Sequence, residues 1–85
     1  MPTISVFYGL IIQMFYDDHN PPHIHINYQG EKSVVEIKNG NIIEGELSSR
    51  NKKLIDAWVE INKDELLANW ELCKNRENPI KINPL

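Results

Sequence analysis

His23-Ile24-His25-Ile26-Asn27-Tyr28-Gln29, then Gly30-Glu31, then Lys32-Ser33-Val34-Val35-Glu36-Ile37-Lys38, is the stretch that decides the fold. Successive strand side chains point to opposite faces, so Ile24, Ile26 and Tyr28 face one way and His23, His25, Asn27 and Gln29 the other. Gly30-Glu31 turns the chain into a second strand, with Val35 and Ile37 inward and Glu36 and Lys38 outward. Asn39-Gly40 then reads as a type I′ hairpin turn, which needs φ > 0 at both central residues. A third strand follows at about 41–47, with Glu44 and Glu46, like Glu36, on the histidines' face. Residues 23–47 are thus an antiparallel meander with one apolar and one polar face.

Towards the N-terminus, residues 10–16 read as a strand buried on both faces, with Gly9 marking a bend after a short opening strand at Ile4–Phe7. Between them and the meander, Asp17-Asp18-His19-Asn20-Pro21-Pro22 is a loop, because the prolines fix φ and lack N–H groups. Towards the C-terminus the apolar period changes to that of a helix. Ser48 or Ser49 can cap a helix carrying Leu54, Ile55, Trp58, Val59 and Ile61. Asn62-Lys63-Asp64-Glu65 resembles a capping box for a second helix with Leu66, Leu67, Trp70 and Cys73. The expected fold is α+β: an antiparallel sheet of about four strands (about 4–16, 23–29, 32–38 and 41–47). One face is covered by a C-terminal helix pair or one kinked helix (about 49–61 and 63–76). The tail from Asn78 runs back over the domain.

Eighty-five residues read as one domain, 1–85, with no room for a second core. No apolar run is long enough to span a membrane, and the N-terminus lacks signal-peptide features. The single cysteine, Cys73, precludes an internal disulfide and fits a reducing compartment, so the expected location is cytoplasmic. Net charge is -3, which weighs against non-specific phosphate binding. Residues 1–47 hold six acids and two bases; Arg50, Lys52 and Lys53 read as a solvated helix start. Neither a nucleophile elbow nor a phosphate-cradling glycine loop is present.

All three histidines fall within the seven residues 19–25, beside Asp17 and Asp18. Imidazoles and carboxylates ligate metals and move protons near neutral pH, so the cluster admits four readings. His23 and His25, with His19, Asp17 or Asp18 completing the shell, can chelate a divalent metal. One histidine can act as general acid or base while its neighbours bind phosphate. The polar face can dock a partner through the histidines and Asn27. Finally, the histidines can simply hydrogen-bond the loop backbone and keep Pro21-Pro22 in register.

The stretches MPTISVFYGLIIQMFY, DDHNPPHIHINYQGE, GNIIEGEL, ELLANWELCKN and IKINPL closely resemble the small prokaryotic proteins of domain-of-unknown-function family 4160. The string DHNPPHIH is the most specific of them. This resemblance implies a compact α+β domain and membership in toxin–antitoxin-like gene pairs, with no established activity. Asn62 stands where members often carry histidine, so a site using a helix-borne histidine is not carried over. His23-Ile24-His25 before a meander and a helix also resembles, in one short string, the HicA-type mRNA interferase toxins.

The expectation is a partner-binding component of such a gene pair, working through its His-bearing sheet face. A small hydrolase, RNA-cleaving or metal-dependent, is the alternative. His25 and His23 are the catalytic candidates; Asp17, Asp18, His19, Asn20 and Asn27 are binding candidates; His19, His23 and His25 are the candidate metal set. No cofactor is called for, although the residues leave a divalent metal open. The expected partner is a small protein or a second copy of the chain, with RNA less favoured by the acidic first half.

Overall fold

The computed structural model describes residues 2–85. Five antiparallel strands run in sequence order across one sheet: β1 (Thr3–Phe7), β2 (Leu10–Gln13), β3 (His23–Tyr28), β4 (Glu31–Glu36) and β5 (Ile42–Glu44). Two helices follow, α1 (Ser49–Ile61) and α2 (Lys63–Lys74). The expected α+β class and helix pair are present. The fifth strand arises because the 4–16 segment folds into a hairpin at Tyr8-Gly9.

Turn chemistry explains the difference. Phe7 pairs with Leu10 and Tyr28 with Glu31, so each hairpin closes over two residues. Those residues are Tyr8-Gly9 (φ 50° and 79°) and Gln29-Gly30 (φ 52° and 84°). Positive φ at both central positions is the type I′ signature. Asn39-Gly40, where that turn was expected, has positive φ only at Gly40, and its loop is instead closed by Gly40 N–H donating to the Glu36 carbonyl at 2.9 Å. β5 is correspondingly shorter than expected. Val34 pairs with Glu44 and Val35 with Ile42, which leaves Ile43 as an extra, bulged residue.

The apolar face of the sheet supplies Leu10, Ile12, Ile24, Ile26 and Val35 to the core; Ile55, Trp58 and Val59 of α1 and Leu66, Trp70 and Cys73 of α2 cover it. Burying each such aliphatic side chain stabilises the fold by about 1.5–3 kcal/mol before entropy is counted. β2 alternates buried and half-buried positions rather than being buried on both faces. Ile61, expected on the apolar stripe, is exposed because α1 ends there. Ser48 caps α1, its Oγ accepting from the Asn51 N–H at 3.1 Å. The capping box at Asn62 does not form. Its side-chain amide donates back to the Trp58 carbonyl at 2.9 Å, so Asn62 closes α1 and joins it to α2 as a one-residue kink.

The tail does return. Asn69, buried in α2, accepts from the Ile80 N–H (2.9 Å) and donates to the Ile80 carbonyl (2.8 Å). Ile82 N–H then donates to the Ile4 carbonyl at 2.8 Å, covering the β1 edge. Ile4 is itself the extra residue of a bulge against β2. Among the described residues nothing pairs beyond β5, and no helix is long and apolar enough to cross a membrane.

Candidate functional site

Cross-strand partners project to the same face of an antiparallel sheet. His23 pairs with Glu36, His25 with Val34 and Gln13, Asn27 with Lys32, and Val34 with Glu44. The face turned away from Leu10, Ile12, Ile24 and Ile26 therefore carries His23, His25, Asn27, Glu36 and Glu44, as the alternation predicts, with His23 at the end of the strand, where Trp70 of α2 also reaches it. Glu46, expected there too, lines a separate cavity with Tyr28, Leu47 and Arg50.

The histidines are not displayed to solvent. The His23 side chain is 10% exposed and that of His25 24%, because the loop from Phe15 to Pro22 folds over the start of β3. That loop is tied to the end of α2: Asp17 N–H donates to the Cys73 carbonyl at 3.5 Å, Asp17 pairs with Arg76, and the Tyr16 hydroxyl donates to Asn78. It delivers Asp18 to the histidines. Asp18 Oδ2 lies 2.8 Å from Nε2 of His23 and 2.8 Å from Nε2 of His25. Asp18 Oδ1 accepts the His19 backbone N–H at 3.1 Å, which fixes the carboxylate's orientation.

Each ring is held from behind. His23 Nδ1 donates to the Pro21 carbonyl at 2.7 Å, and its ring packs 5.0 Å from that of Trp70. His25 stacks on Phe15 with centroids 3.9 Å apart. Burial pushes the Asp18 carboxyl up, but the hydrogen bond from His25, the charge of His23 and the His19 amide outweigh it and hold the group below its ordinary range. Burial raises the Cys73 thiol, which sits in the core and takes no part.

Among the expected site residues, then, the structure gathers Asp18, His23 and His25, whose ligand atoms lie within 4.8 Å of one another. His19 is not one of the three; its contribution is the backbone amide, and Asp18 takes the place given to it in the metal set. Asp17 and Asn20 are exposed, and Asp17 is engaged by Arg76. Asn27 locks the Gln29-Gly30 turn by accepting the Gly30 N–H at 3.0 Å. His23 does hold the loop backbone, as the structural reading expected, and His25 does not. Phe15 and Trp70 were not anticipated. Phe15 was legible, since it stands two residues beyond Gln13, the partner of His25.

A cavity of about 230 Å³ opens over the triad, lined also by His19, Asn20 and Glu44. Beside it, a groove of about 200 Å³ shares His25, Val34 and Glu44 and adds Gln13, Asn27 and Lys32. The family model "Domain of unknown function (DUF4160)" matches residues 9–71. The chain belongs to that family. The DUF4160 match contains the loop, both histidine-bearing positions and α1, and stops short of β1 and the returning tail. No curated protein and no solved structure matches the chain.

Proposed function

We propose that this protein is a small hydrolase that cleaves RNA phosphodiester bonds at Asp18, His23 and His25, as the toxin member of a toxin–antitoxin-like pair. One observation carries the reading: two imidazoles converge on a single carboxylate oxygen beneath an open cavity. Histidines serving only as a docking face have no need of a shared, half-buried carboxylate. One imidazole of such a centre can take the proton from the attacking oxygen as that oxygen bonds to phosphorus, and the other, protonated, can give its proton to the leaving oxygen as the old phosphorus–oxygen bond breaks, each a contribution of about 10²–10⁴-fold. The amides of Gln13 and Asn27 and the ammonium of Lys32 line the adjoining groove, where they suit phosphate oxygens. Induced wild type should arrest growth and degrade cellular RNA, and folded His25→Ala and His25→Gln should do neither. Intact RNA in arrested cells, with purified protein inert on RNA, would remove this reading.

Partner binding is the second reading, and the open edge of β5 favours it. Ile42 and Ile43 are exposed there beside Glu44, and an extended segment can add to such an edge. The occupant would be the product of the adjacent gene, with basic residues facing the acids. Ile43→Lys should abolish its co-purification at a stability cost within about 0.5 kcal/mol; an undiminished complex would count against the edge.

A further inference from the structure

We infer that Asp18, His23 and His25 form a three-ligand site for a zinc-like divalent cation, with an open coordination position facing the cavity. This deepens the hydrolase reading, replacing the imidazole base with a cation that would activate the attacking water, and it stands on geometry of its own.

The Pro21 carbonyl oxygen only accepts, so its 2.7 Å contact with His23 Nδ1 places a proton on that nitrogen. In the neutral ring this tautomer leaves Nε2 as a lone pair, and Nε2 is aimed at Asp18 Oδ2. In the metal-free chain a second ring proton, donated to Asp18 Oδ2, fills this contact; a divalent cation can take that proton's place between the two ligand atoms. Nδ1–H donating to a backbone carbonyl, with Nε2 free for the ion, is also the arrangement that orients metal-bound histidines. Asp18 is held in the same manner, one oxygen on the His19 amide and the other turned inward. His25 is held by its stack on Phe15. Every ligand thus has a supporting contact of its own.

Distances and charge agree. Zinc bonds of about 2.0–2.2 Å in a tetrahedron place ligand atoms about 3.4 Å apart. The ligand atoms here span from 2.8 Å to within 4.8 Å of one another, so small ring rotations suffice. Two imidazoles and one carboxylate leave the fourth position of a tetrahedral ion for water, the composition of catalytic rather than structural sites. Glu36 and Glu44 share the face with Asp18 nearby, and these acids repel an RNA substrate unless a cation offsets them.

The test uses the full chain stripped with chelator and titrated with Zn²⁺ or Co²⁺ alone, followed by calorimetry and the visible absorption of Co²⁺. One ion per chain is expected. Asp18→Asn, His23→Gln and His25→Gln should each weaken it at least ~10-fold, whereas His19→Ala should leave it unchanged. In the wild type, zinc should shift the Nε2 resonances of His23 and His25 and not those of His19, a readout that needs no variant to fold. Failure of the wild type to bind one ion, or binding unaffected by His25→Gln, overturns the site; the triad is then a proton-sharing cluster. RNA cleavage that survives chelation would likewise overturn the metal's role while sparing the hydrolase reading. A loaded protein inert on RNA would overturn only the latter.

Discussion

Asp18 is the residue on which the site turns, and the sequence marks it poorly because its neighbour Asp17 has the same chemistry. The difference is positional: Asp17, at φ 55°, turns out to Arg76, and Asp18 turns in to the histidines. Its side chain is 20% exposed, so its hydrogen bonds are only partly screened. With the carboxyl held below its ordinary value of 3.8 in the folded, metal-free chain, the unfolded state binds more protons as pH falls. The stabilisation is therefore complete above the unfolded pKa and is lost as pH drops through the lower folded one. In chelator at neutral pH, Asp18→Asn should lose about 1–3 kcal/mol relative to wild type. That gap should narrow below about pH 4, measured by urea unfolding across pH. A gap independent of pH would mean that the carboxylate's charge is not what holds the histidines.

At the level of elements, strand alternation, helix period and the places of the turns were legible, and the turn types were not. Alternation alone put His23, His25, Asn27, Glu36 and Glu44 on one face, as the register has them. Turn type, by contrast, follows from which strand residues pair. Asn39-Gly40 has the residues for a type I′ turn, yet the Ile43 bulge lengthens that connection. Gln29-Gly30 and Tyr8-Gly9 adopt the turn because two-residue closure demands it. Asn62 failed as a cap for a similar reason: the chain leaves the helix for that one residue only, and its amide bonds back to Trp58 instead. The bulge has a companion constraint at Gly45, whose φ is 75° and where a Cβ would sit 2.3 Å from the Lys32 carbonyl oxygen. Gly30, at φ 84°, has open space around it. Gly30→Ala should cost about 1–2 kcal/mol for the left-handed backbone. Gly45→Ala should cost more, because the β4 backbone must also move. Equal midpoints in chemical denaturation would show that β5 is not held against β4 as described.

Across the whole molecule, the two edges of the sheet are treated differently, and Asn69 is what makes them so. The β5 edge ends in an exposed bulge, whereas the β1 edge is covered by the molecule's own tail. An Asn in mid-helix favours neither propensity nor packing, so its place among the buried residues of α2 needs a tertiary reason. Both halves of its amide are used on Ile80, which sets the tail's path so that Ile82 can reach Ile4 and the Asn83 carbonyl can accept from Trp58 Nε1 at 2.8 Å. Periodicity could not reveal this, because the partner lies in an irregular segment eleven residues on. Asn69→Ala leaves two backbone groups of Ile80 without their partner and should destabilise the fold by about 1–3 kcal/mol. Because the tail is the segment released, the Ile82 amide should exchange at least ~10-fold faster, with the β3 amides slowed or hastened only by the global change. An Ile82 amide as protected as before would mean that apolar burial of Ile82, rather than Asn69, closes that edge.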